Sequence, residues 1–249
     1  FEFETSTPDF VNVDADKMLL CEKNDNHPSI KEWAFLYHPT ENYGNIKMKY
    51  LDRYEAIAVL KKSKDELAVT TILKALDDDY EYLRRQAIGA LKNAAKAKPE
   101  MVKEKLLAMA KNDSDSKVRG DAIAALARYF ENDKAVTDIC VSGMEEQSYY
   151  VIGESLLALS KNNGSLAMKY ASAFEKEKNG NIVSAITTVY EDHGTEKQLD
   201  YFITKNEEIS GFEKYGFAMS TTRYLKNQDH ETVKKGSAIL KETALNEKT

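Results

Sequence analysis

The sequence predicts a mainly α chain built as an α-solenoid, and three observations carry that expectation. The stretch Leu83-Arg84-Arg85-Gln86-Ala87-Ile88-Gly89-Ala90-Leu91 recurs 35 residues later as Val118-Arg119-Gly120-Asp121-Ala122-Ile123-Ala124-Ala125-Leu126. Its apolar positions return 33 residues further on in Val151-Ile152-Gly153-Glu154-Ser155-Leu156-Leu157-Ala158-Leu159, and Arg53-Tyr54-Glu55-Ala56-Ile57-Ala58-Val59-Leu60 precedes the first copy by 31. Within each copy the apolar residues fall at i, i+4, i+5 and i+8, one face of a helix. A period in the low thirties is that of stacked helix pairs, none of which buries its apolar face alone. Ala87, Ile88, Leu91, Ala122, Ile123 and Leu126 are therefore expected to be buried between repeats.

The elements follow in order. Residues 1–28 read as the terminal strands of a β-sandwich domain. Phe1-Glu2-Phe3-Glu4-Thr5 alternates, Phe10-Val11-Asn12-Val13-Asp14 is rich in strand formers, and Met18-Leu19-Leu20-Cys21-Glu22 is a third apolar run. Strands this short are unstable alone, so they read as a remnant that leans on other structure. Residues 29–249 read as a solenoid of about six helix pairs. Ser29-Ile30-Lys31-Glu32 fits a capping box, and Pro39 ends the helix it opens. After a polar loop over 39–49, helices carrying the repeated motif are expected at about 51–62, 83–96, 117–130, 149–161, 181–191 and 213–226. Their partners are expected at about 65–76, 99–111, 133–144, 165–176, 196–205 and 230–245. Asp77-Asp78-Asp79, Lys98-Pro99, Asn112-Asp113-Ser114-Asp115, Asn162-Asn163-Gly164 and Asn179-Gly180 are the cap and turn chemistry between them.

Composition narrows the function classes. A net charge of −6 disfavours a nucleic-acid partner, which usually meets a positive domain. No apolar run is long enough to span a membrane. The charge is uneven: residues 47–98 carry 12 Lys/Arg against 8 Asp/Glu, and residues 1–46 carry 3 against 9. Cys21 and Cys140 sit in apolar surroundings and read as reduced, packed thiols. The chain opens on Phe1 without an initiator Met, so it reads as a piece of a longer polypeptide, and any export signal would lie upstream.

An aspartate-rich turn, then Val/Leu-Arg, then Ala-Ile and Leu, as at Asp79 to Leu91 and Asp115 to Leu126, resembles the HEAT-repeat family. A second resemblance lies upstream. Pro8-Asp9-Phe10-Val11-Asn12-Val13-Asp14, Met18-Leu19-Leu20, Trp33-Ala34-Phe35 and Leu51-Asp52-Arg53-Tyr54-Glu55-Ala56-Ile57 occur in the order found in the carboxyl-terminal third of bacterial zinc aminopeptidases of the aminopeptidase N family. That resemblance covers roughly the first sixty residues by motif and the remainder by helical period alone. It implies that strands of a β-sandwich lead into a HEAT-like domain that closes over the active-site cleft and restricts peptide access. Zinc, the catalytic domain and the rest of the β-sandwich would then lie upstream in the same polypeptide, with peptides as substrates and a monomeric protein.

No catalytic or metal-binding residue carries over to this chain. The family's zinc motif needs two His one helical turn apart with a Glu between them. Here the nearest approach is His230-Glu231-Thr232-Val233-Lys234, where an ammonium stands in the second ligand position. His27, His38 and His193 are scattered, and nucleophile-elbow and phosphate-loop motifs are missing. The candidate binding residues are cations of the motif helices, Arg85, Lys92 and Arg128, expected to attract peptide carboxylates weakly. Arg84, Arg85 and Arg119 have a structural alternative, pairing with Asp79, Asp113 or Asp115 of a neighbouring turn. Tyr149-Tyr150 either line a peptide groove or pack between helices. Against the aminopeptidase reading stands a free-standing HEAT-repeat scaffold that binds another protein.

Overall fold

The computed structural model describes residues 29–38 and 48–246. The strands expected over 1–28, together with Cys21 and His27, lie outside the described residues. Ser29 caps α1 (Ile30–Tyr37) with the capping box its sequence predicts. Its hydroxyl accepts from the Glu32 amide, and the Glu32 carboxylate accepts from the Ser29 amide at 2.9 Å. The helix stops at Tyr37, and His38 turns to extended backbone (φ −148°, ψ 100°), as a residue ahead of proline must.

Every regular element among the described residues is helical, and the fold class is the α-solenoid that the period predicts. The chain continues through α2 (Tyr50–Leu60), α3 (Glu66–Ala75), α4 (Glu81–Gly89), α5 (Lys92–Ala97), α6 (Pro99–Asn112), α7 (Ser116–Tyr129) and α8 (Lys134–Gly143). It ends with α9 (Tyr149–Asn162), α10 (Gly164–Ala173), α11 (Gly180–His193), α12 (Leu199–Glu208), α13 (Phe212–Leu225) and α14 (His230–Asn246). One expected helix, 83–96, is instead two. Gly89 weakens the helix, and the Ala90 and Leu91 amides fall back on carbonyls three residues earlier, a tighter turn that drives both side chains into the core.

Side-chain caps fix the starts of α3, α7, α8, α10 and α11. Asp65, Asp115, Asp133, Asn163 and Asn179 each present a side-chain oxygen to an amide of the first turn that follows. The apolar faces behave as their spacing requires: Ala87, Leu91, Ala122 and Leu126 are fully buried, and Ile88 and Ile123 nearly so. Each buried leucine or isoleucine contributes about 1.5–3 kcal/mol relative to exposure. Cys140 is buried and free, and burial pushes its thiol up to about 12, so it packs as a small hydrophobe.

The chain divides into two compact units, one through Lys105 and one from Leu106. In the first, α2 packs on α1, α3 and α4, and α3 packs on α4 and α5. In the second, α7, α9, α11 and α13 lie side by side as one layer. The partner helices cover it, α10 seated over both α9 and α11. Gly120 allows the close approach of α9 to α7, because a Cβ there would lie 2.6 Å from the Tyr150 ring.

Within each unit, side chains fasten a repeat to the turn of the one before. In the first unit the Asn93 amide donates to the carbonyls of Lys61 (3.3 Å) and Ser63 (2.8 Å). In the second, Asn162 accepts from the backbone amide of Asn132, whose φ of 60° an asparagine tolerates. Further along, the Gln228 amide donates to the Gly194 carbonyl, and His193 Nε2 lies 2.9 Å from the Ser160 carbonyl oxygen. These bonds satisfy turn carbonyls and amides that helix ends leave open.

Candidate functional site

The repeat arginines have a structural assignment. Arg84 Nη1 donates to the carbonyls of Asp78 (2.9 Å) and Asp79 (3.2 Å), six and five residues before it. Arg119 Nη1 does the same to Asp113 (2.9 Å) and Ser114 (3.4 Å). Its remaining edge takes the Glu146 carboxylate bidentately, both bonds at 3.0 Å. The motif arginine therefore closes the turn ahead of its own helix, through the backbone of the aspartate-rich segment.

In the stretch that precedes the first copy the motif arginine is Arg53, and it is buried. Arg53 Nη2 donates to Asp78 at 3.0 Å, and Nε lies 2.9 Å from the other carboxylate oxygen, an ion-pair approach off the line of a hydrogen bond. Nη1 reaches the Met48 carbonyl, and the Tyr37 hydroxyl donates to Asp78 at 2.9 Å. Asp78 also accepts from the Tyr80 amide. One carboxylate thus joins α1, α2 and the turn before α4. Burial, with Asp78 beside it, drives the Tyr37 hydroxyl far above the usual phenol range.

The predicted cations are divided between the two units. Arg85 lies in α4, half-buried and engaged within the protein, while Lys92 opens α5 and is exposed. Arg128 belongs to the second unit, exposed in the last turn of α7. There it acts on Glu154 of α9. Burial and the neighbouring Asp121 push the Glu154 carboxyl up, while Lys161 and Arg128 pull it back. Tyr150 donates its hydroxyl to Asp121 at 2.5 Å, so it packs and bonds between α7 and α9; Tyr149 is more exposed and reaches Glu177.

The second unit also carries a groove that sequence reasoning missed. It runs along α11 and α13 with a volume of about 620 Å³, walled by Lys178, Asn181, Ser184, Glu213, Ser220 and Arg223. Gly180 and Ser184 on one helix, and Gly216 and Ser220 on the other, each stand one turn apart and open it. Nothing lies within 4 Å of a Cβ built on Gly216. Arg223 is held across it by the Glu191 carboxylate (2.8 and 3.2 Å) and donates to Ser220 at 2.8 Å. Phe212, Tyr215 and Met219 are exposed along α13 at i, i+3 and i+7. The legible signal was a pair of small residues four apart on each of two successive motif helices.

Among the described residues, no three His, Cys, Asp or Glu side chains stand together as metal ligands, and no helix is long and apolar enough to cross a membrane. Residues 48–127 match the family model of HEAT repeats. No curated protein matches the chain. Among solved structures, a designed armadillo repeat protein in complex with the peptide (KR)4 aligns at TM-score 0.45 and 15% identity, over 86% of this chain and 99% of its own. A second designed armadillo repeat protein gives 0.44 and 16% over 86% and 99%, and an engineered protein 0.43 and 14% over 85% and 95%.

Proposed function

We propose that this chain is a non-catalytic helical-repeat module of a zinc-dependent aminopeptidase, limiting which peptides reach a cleft formed by upstream domains. The observation that carries the reading is the union of α1 and α2. The stretches Trp33-Ala34-Phe35 and Leu51 to Ile57, which resemble the junction of that family, pack against each other and are locked by Arg53, Asp78 and Tyr37. A junction built this way transmits the position of whatever precedes α1 to the first repeat. The polar groove of α11 and α13 suits an extended backbone, since its serines and asparagines offer both donors and acceptors.

Reading the coding sequence upstream of Phe1 tests the proposal. An H-E-x-x-H motif is expected there, and a longer protein containing it should gain activity on long peptides relative to dipeptides when residues 29–249 are removed. A start codon next to Phe1 would sink it. The exposed side chains of Phe212, Tyr215 and Met219 favour a second reading, a free-standing scaffold that binds another protein.

A further inference from the structure

Four tyrosines of the first unit converge where the N-terminal end of α2 meets the N-terminal end of α4. Tyr50 stacks on Tyr54 with centroids 6.5 Å apart and planes 12° from parallel, and Tyr54 stacks on Tyr82 at 6.2 Å and 26°. Tyr50 also meets Tyr82 at 6.4 Å and Tyr80 edge-on at 5.6 Å. Aromatic pairs span about 4.5–7 Å, so the near-parallel pairs sit at the loose end of that range. Tyr80 and Tyr82 are 50% and 41% exposed, so part of each side chain meets solvent. The four rings form a surface cluster whose outer members, unlike core tyrosines, stay partly exposed.

The patch already holds one cation from within. The Arg53 guanidinium lies 5.4 Å from the centre of the Tyr80 ring. Glu81 is exposed and sits in sequence between Tyr80 and Tyr82, and after burial, Tyr82 and Tyr54 it too raises the Tyr50 hydroxyl pKa. Ring faces carry negative potential, and a carboxylate at their edge adds to it. The cations of the same stretches are Lys49, Arg53, Arg84 and Arg85, of which Arg53 is paired with Asp78 and Arg84 donates to the Asp78 and Asp79 carbonyls; a site dominated by cations would take an anion instead.

We propose that Tyr50, Tyr54, Tyr80 and Tyr82, with Glu81 at their edge, form a docking site for an arginine side chain of a partner polypeptide. Arginine fits better than lysine because a planar, weakly hydrated guanidinium stacks flat on a ring face, whereas an ammonium keeps its water. The site stands independently of whether the parent protein is a peptidase.

The test is calorimetric titration of the full chain with acetyl-Gly-Arg-Gly-Arg-Gly-amide and with twins carrying lysine, glutamate or citrulline in place of arginine. Citrulline keeps the shape of arginine and removes its charge. The arginine peptide is expected to saturate with a Kd on the order of millimolar, the lysine twin to bind more weakly, and the citrulline and glutamate twins not to bind. Tyr82→Leu and Tyr54→Leu should each weaken the arginine peptide by about two- to fivefold, the range of an exposed cation–π contact. Glu81→Gln should weaken it in the same direction. If Tyr82→Leu lowers the melting temperature, Tyr54→Leu and Glu81→Gln carry the test. Equal binding of the citrulline twin, preferential binding of the glutamate twin, no saturation by ten millimolar, or unchanged affinity in the tyrosine variants would each overturn the proposal.

Discussion

Asp78→Asn is the substitution that most sharply tests how the first unit is held together. It keeps the shape of the side chain and an oxygen for the Tyr80 amide, but it removes the charge that faces Arg53. The two side chains are only 6% and 4% exposed, so the guanidinium would remain buried without the carboxylate it is paired with. Breaking one partner of such a pair costs about 3–5 kcal/mol. Trp33 lies in α1 and is the sole tryptophan, so its fluorescence reports release of the helix that Tyr37 ties to Asp78. With a urea slope of about 2 kcal/mol per molar for a unit of this size, the fluorescence midpoint should fall by about 1.5 M or more. Arg53→Met placed on top of Asp78→Asn should recover part of that loss, since the pair then holds no buried charge and the coupling appears in the double-mutant cycle. A midpoint shift under about 0.3 M for Asp78→Asn, or a double variant no more stable than the single one, would show that the ion pair does not hold α1 in place.

Other substitutions probe the second unit and the pH response. Ile123→Asp puts a carboxylate at a site 1% exposed and should unfold the second unit, seen as lost helical ellipticity at 25 °C; melting within about a degree of the parent would mean the repeat register is wrong. Ser155 is buried with its hydroxyl unbonded beside Gly143, so Ser155→Ala should raise stability by about 1 kcal/mol in urea unfolding rather than lower it. Burial raises the hydroxyl pKa values of Tyr37, Tyr190, Tyr201 and Tyr224, the last to about 12. A raised folded value means the stability is intact below the unfolded pKa of about 10 and is lost as pH climbs through the folded values. The urea midpoint should therefore hold from pH 7 to 9 and fall by pH 11, and a flat profile over that interval would refute the burial of these hydroxyls.

The helices were legible in the sequence because what makes them is local. Asp115 caps α7 through amides two and three residues on, and Ala122, Ile123 and Leu126 share one face whatever they pack against. The turn aspartates were legible as caps, yet their pairing was not. The sequence offers Asp79 of Asp77-Asp78-Asp79 as an arginine partner, whereas it is Asp78 that goes inward to Arg53 and Tyr37, with Asp77 outward to Lys105. Choosing between them requires knowing where a helix forty residues earlier sits, and no local rule supplies that. The candidate site divides along the same line. Tyr50 and Tyr54 stand at i and i+4, so their shared face could be read directly. Tyr80 and Tyr82 are two apart across a helix cap, a spacing that faces opposite ways inside a helix and meets Tyr50 only because Tyr80 is still extended. That extended residue also receives the Asp78 bond at its amide and covers Arg53 with its ring. The buried pair and the surface tyrosines are consequently one construction: an Asp78 variant that frees the Tyr80 amide would loosen the aromatic patch as well, although it touches none of the exposed rings.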